Sequence, residues 1–185
     1  MRAQAAKGFA PYTGCRLPDG PGIVETAPFL SGTPGRTLQL VDGSYMMAVQ
    51  IGRRVMFAYR DEDFYANVTV EILPQDGYAA SRKALIGNFE YQLASGDNAR
   101  NSTLNPQLNG FDIRGFDHTK REGVALGIYL LFDDPTRTVT TIYFLNQEPP
   151  KRFKTMEEYA TLRDQFLGSY TTCIRESLRA ASGSK

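Results

Sequence analysis

Two runs late in the chain, Val124–Phe132 and Thr138–Asn146, are apolar on both faces and are separated by a turn. In the first, Val124, Leu126, Ile128, Leu130 and Phe132 should point one way, and Ala125, Gly127, Tyr129 and Leu131 the other. A strand with two greasy faces has to be covered twice. Between the runs lies Asp133-Asp134-Pro135-Thr136-Arg137, where Pro135 suits the second position of a type I turn. The two clearest helical segments each follow a strand block. This order predicts an α+β fold, an antiparallel sheet sandwiched between helices in an α/β/α arrangement.

A chain of 185 residues suits one domain with a sizeable core. The net charge is +1 with both signs interspersed, so no basic stripe recommends a nucleic-acid partner. The longest apolar stretch falls far short of the roughly 20 residues a membrane helix needs, so no transmembrane segment is expected. Tryptophan is absent, and ten Tyr and eleven Phe must supply the large core side chains.

Residues 1–35 read as a Pro/Gly-rich N-terminal extension, because proline removes donors and glycine raises the cost of ordering. Residues 36–180 read as a single domain and 181–185 as a flexible tail. Ala3-Gln4-Ala5 has the small-x-small form of an export cleavage site without an apolar core before it. The expectation is an exported protein, periplasmic or extracellular, whose signal peptide is absent from this sequence; a cytoplasmic protein is the alternative. Thr13-Gly14-Cys15 lacks the features an acylation site requires.

Regular structure is expected from about Arg36. Thr37–Val41 and Tyr45–Ile51 flank the turn dipeptide Asp42-Gly43, and Gly52-Arg53-Arg54 should then separate off Val55–Tyr59. In Phe64–Leu73 the residues Val68, Val70 and Ile72 alternate with Thr69 and Glu71, the mark of a half-buried strand. Asp76 can cap a helix over 77–95 with a stripe of Tyr78, Leu85, Ile86, Phe89 and Leu93, ended by Gly96. The polar stretch 97–110 reads as a long mobile loop, and Phe111–Phe116 as a strand. Thr155 and Glu158 form a capping-box pair that opens a last helix, with Tyr159, Leu162, Phe166, Tyr170 and Cys173 facing inward.

Reactive chemistry is sparse. His118, the single histidine, follows Asp117, but neighbouring strand residues face opposite ways and the surroundings read as an exposed turn. Asp61, Glu62 and Asp63, or Asp133 and Asp134, lack the spacing of a calcium loop and read as solvated turn carboxylates. One histidine and two cysteines do not make a closed zinc site. No catalytic, cofactor-binding or metal-ligating residue is therefore assigned, and no cofactor is expected. Cys15 and Cys173 form a disulfide candidate if the protein is exported; otherwise Cys173 is a small buried hydrophobe and Cys15 is free. Asn67-Val68-Thr69 and Asn101-Ser102-Thr103 match the glycosylation triplet, the first inside a strand. Tyr129, Phe132, Tyr143 and Phe144 could line a ligand cavity, but strand aromatics more often pack a core.

The stretch from about Val55 to Ser177 resembles the PsbP-like family. The resemblance rests on Asp61-Glu-Asp-Phe-Tyr-Ala-Asn-Val-Thr-Val-Glu-Ile, Gly110-Phe-Asp-Ile-Arg-Gly-Phe, the pair Ile128-Tyr-Leu-Leu-Phe and Ile142-Tyr-Phe-Leu-Asn, and the helix from Thr155. It implies an α/β/α sandwich that binds another macromolecule rather than catalysing a reaction. The resulting expectation is an exported, non-enzymatic accessory protein with a protein partner. The alternative is a carrier of a small molecule or lipid, with a cavity between sheet and helix.

Overall fold

The computed structural model describes residues 9–12, 15, 23–25, 29–39, 45–59, 62–73, 75, 78–94, 102–104, 106–118, 125–146 and 155–183. Among these, nine strands form one antiparallel sheet: β1 (Ile23–Glu25), β2 (Phe29–Gln39), β3 (Tyr45–Tyr59), β4 (Glu62–Ile72), β5 (Ser102–Leu104), β6 (Gln107–Leu108), β7 (Phe111–Asp117), β8 (Ala125–Asp133) and β9 (Thr138–Asn146). Two long helices accompany them, α1 (Tyr78–Ala94) and α2 (Met156–Gly183). The sheet runs β1-β3-β4-β9-β8-β7-β5, with β2 also on β3 and β6 also on β7. The two apolar runs, β8 and β9, lie in its interior, where a strand loses water on both faces.

Two separate cores show the layering. One joins Ala66, Val68, Val70, Phe111, Ile113, Leu126, Tyr129, Leu131, Ile142 and Phe144 to Tyr159, Phe166, Leu167, Tyr170 and Ile174 of α2. The other joins Leu73, Phe116, Leu130, Phe132 and Val139 to Phe89 of α1, with Tyr78, Leu85, Ile86 and Leu93 packed around it. The expected α+β sandwich is the fold observed. In the α2 layer Phe144 meets Tyr129, Tyr159 and Phe166 edge-on, with ring centroids 5.4–6.0 Å apart. Such tilted contacts add about 0.5–1.5 kcal/mol each beyond area burial.

The start of α2 and the β8–β9 turn follow their local patterns. The Glu158 amide donates to Thr155 Oγ1 at 3.2 Å, so Thr155 caps α2 as expected, and Glu157 and Glu158 favour its positive end. Arg137 N–H donates to the Asp134 carbonyl at 3.2 Å, which places Pro135 second in the β8–β9 turn. Asp76, Gly96 and the Asp42-Gly43 turn lie outside the described residues.

Several expectations are corrected. Regular structure does not wait for Arg36: β1 and β2 pair with β3, and an irregularity between Ser31 and Arg36 absorbs the glycines and proline there. Phe9, Tyr12 and Cys15 are buried in the α2-side core, so the extension is part of the fold. Gly52-Arg53-Arg54 does not break β3, because β4 pairs with it without interruption from Val49 to Tyr59. The loop over 97–110 contains β5 and β6, both laid on β7. Residues 181–183, placed in a flexible tail, continue α2. Leu126 belongs with Tyr129 and Leu131 rather than with Ile128 and Leu130, because the register shifts between Ala125 and Gly127 and turns it to the α2 side.

Candidate functional site

The polar chemistry gathers where α2 crosses the sheet. Asp117, the last residue of β7, turns toward α2, and its side chain is 14% exposed. Its two oxygens accept from Tyr129 Oη and from the Arg163 guanidinium, whose side chain is 10% exposed. Arg163 Nε also donates to Asp164 at 2.8 Å. Gly127 lies beneath this group: a Cβ there would fall 2.5 Å from Tyr159 Oη and 2.9 Å from Asp117 Oδ1. The glycine is required because the Tyr159 hydroxyl, the Asp117 carboxylate and the Phe116 carbonyl occupy the space a side chain would take. Burial, then the Asp117 charge, pushes the Tyr129 hydroxyl well above its ordinary range. Burial also raises Tyr159 well above its ordinary value, with Tyr129 and Asp117 acting in the same direction.

A second group lies further along α2. Asp133 is fully buried, not a solvated turn carboxylate as expected. It accepts from Arg175 at 2.8 Å and from Thr136 at 2.5 Å. Arg175 also donates to the Asn109 carbonyl at 2.6 Å and lies over the Phe111 ring, 4.2 Å from its centroid. Asn109 and Gly110 both have positive φ, 50° and 78°, and connect Leu108 to its partner Phe111 in a two-residue hairpin. The Asn109 amide donates to Thr171 and Thr172, each at 3.0 Å, and so ties the hairpin to α2.

The N-terminal segment closes this second group. Tyr12 Oη bonds Thr136 and Thr138 at 3.0 and 2.9 Å, and burial raises its pKa. Cys15 and Cys173 are joined in a disulfide, with Cα atoms 5.6 Å apart. Burial of Phe9, Tyr12 and Cys15, the two hydroxyl bonds and the covalent bond to α2 act together to hold the segment on the fold.

Asp117 and His118 do not converge. His118 sits on the α1 side, half-buried, with its ring edge-on to Phe116 at 5.3 Å, rather than in an exposed turn. Burial lowers its pKa, while Asp117 opposes that shift. Among the described residues, no three His, Cys, Asp or Glu side chains come close enough to hold a metal. Asp134 is exposed and accepts from Tyr78 at 2.6 Å and Arg82 at 3.1 Å; the side chains of 61–63 and Asn101 lie outside the described residues. Tyr129, Phe132 and Phe144 are core residues, whereas Tyr143 is 42% exposed.

Where the cover of α1 ends, one patch of sheet stays open. Tyr143 of β9 pairs across the ladder with Asn67 of β4, and both are exposed; Thr141 and Thr69 beside them are half-buried. Along the outside of α2 runs a groove of about 540 Å³ lined by Asp164, Gln165, Gly168, Ser169, Thr172, Cys173 and Glu176. No helix among the described residues is long and apolar enough to cross a membrane. Fold and site together define a disulfide-bonded α+β protein with an antiparallel sheet between helices. Among protein-family models, curated proteins and solved structures, none matches this chain.

Proposed function

We propose that this chain is an exported, non-enzymatic accessory protein that docks on another protein, in the manner its PsbP-like resemblance implies. One observation carries the reading: the aromatic Tyr143 and its partner Asn67 stand exposed on the sheet, while the charged groups Asp117 with Arg163 and Asp133 with Arg175, buried or half-buried, are engaged with one another. An exposed tyrosine on a rigid strand offers a large contact area at low entropic cost, and tyrosine is enriched at protein interfaces. The covalent bond between Cys15 and Cys173 suits an oxidising compartment.

A photo-crosslinking side chain placed at Tyr143, with a second placed at Gln165 as control, tests this in the native host. A protein adduct at Tyr143 that is missing at Gln165 supports docking through this face. No adduct at either position, with a small molecule retained in native mass spectrometry, would instead favour the carrier.

A further inference from the structure

We propose that α1 is the interface of a reversible homodimer: two copies cross antiparallel at Gly87, each presenting the outward stripe Ala80, Lys83, Ala84, Gly87, Glu90 and Tyr91 to the other. These residues stand three, four or seven positions from Gly87, so helical geometry puts them on one side of α1. The opposite side, with Tyr78, Leu85, Phe89 and Leu93, packs on the sheet. The outward side of a surface helix is ordinarily charged and polar. Here Ala80, Lys83, Gly87, Glu90 and Tyr91 are exposed, Tyr91 at 65%, yet only Lys83 and Glu90 carry charge. Nothing lies within 4 Å of the Cβ that Gly87 lacks, so no neighbour in this chain requires a glycine there. Glycine in a helix interior is unfavourable on its own account. At a crossing point it lets a second helix come close, because the side chains at the contact set the distance between the axes.

Charge chooses the occupant and its direction. Lys83 and Glu90 lie on either side of Gly87, about 10 Å apart along the helix axis and too far to pair with each other. Among the described residues neither meets an opposite charge. A two-fold rotation at Gly87 brings Lys83 of one copy beside Glu90 of the partner copy, and does so twice. It also keeps each residue on its own flank of the stripe. Lys83 and Glu90 share one flank, while Ala84 and Tyr91 share the other, so each Tyr91 ring lies over the partner copy's Ala84. A parallel pair would instead set Lys83 against Lys83 and Glu90 against Glu90. A surface that complements its own inverted image fits a second copy of this chain. One helix pair is a small interface, so the dimer is weak and grows with concentration. Nothing in it calls on Tyr143, and it does not rest on the docking proposed above.

Sedimentation of the full oxidised chain over a concentration series reads the equilibrium. Carbodiimide coupling in a mixture of isotopically light and heavy chains reads the register. The expected result is a monomer that passes to a dimer, weakened by high salt, with an amide linking Lys83 of one chain to Glu90 of the other. Lys83→Glu should weaken the dimer about tenfold or more, and Lys83→Glu with Glu90→Lys should restore it. Gly87→Arg should abolish the dimer while leaving thermal stability equal or higher, since a glycine has left the helix. That variant separates loss of pairing from loss of folding. A chain that stays monomeric at every concentration would overturn the proposal. So would a dimer that survives Gly87→Arg, or one without the light–heavy link between Lys83 and Glu90.

Discussion

At the scale of the residue, the cluster around Asp117 sets the sharpest limits. A methyl group at Gly127 has nowhere to go between Tyr159 Oη and Asp117 Oδ1. Gly127→Ala should therefore cost about 1–3 kcal/mol in urea denaturation. Gly168, on α2 with nothing within 4 Å of its would-be Cβ, makes the control. Gly168→Ala should be neutral or stabilise by up to about 1 kcal/mol. Arg163→Met leaves the Asp117 carboxylate enclosed without its countercharge and should cost about 3–5 kcal/mol, of which Asp117→Asn in the same chain should restore a large part. Little of this cluster was legible in the sequence. Arg163 lies on the buried face of α2 between Tyr159 and Phe166, but an apolar period marks only apolar members, and the carboxylate it meets is 46 residues away.

At the scale of the element, what could be read depended on whether local pattern or distant pairing was in charge. The inward stripe of α2 was legible because period 3.6 places Tyr159, Phe166 and Tyr170 on one side, and all three are buried there. The β6–β7 hairpin carried a readable signal too: Asn109-Gly110 between Leu108 and Phe111 is a strong turn dipeptide. It was hidden by the polar composition of residues 97–110. No local signal marks the register shift at Ala125–Gly127, which answers to pairing with β9. β1 and β2 depend likewise on the edge of β3, which outweighs the prolines nearby. The Thr155 cap is local and testable: Thr155→Ala removes the acceptor for the Glu158 amide and should cost about 1 kcal/mol by thermal or urea unfolding.

At the scale of the whole molecule, stability should fall off at both ends of the pH range. Burial raises the pKa of Tyr12, Tyr78, Tyr129 and Tyr159, so the folded chain keeps protons that the unfolded chain loses above about pH 10. Their contribution is complete below pH 10 and is lost as pH rises through the raised folded values. Alkaline titration followed by ultraviolet absorbance should show exposed tyrosines ionising first and these four only as the protein unfolds. The acid arm has the opposite sign. His118 is held below 6.5, so its contribution is complete above pH 6.5 and is lost as pH falls through the lower folded value. His118→Gln should flatten the slope of urea stability between pH 7 and 5; an unchanged slope would assign that arm to the carboxylates.

The Cys15–Cys173 bond joins residues 158 positions apart in the sequence. One proteolytic nick anywhere in that span leaves two fragments that migrate together on a non-reducing gel and part only once thiol is added. Damage to a surface loop would thus leave the molecule in one piece, and a single broken peptide bond need not end its working life.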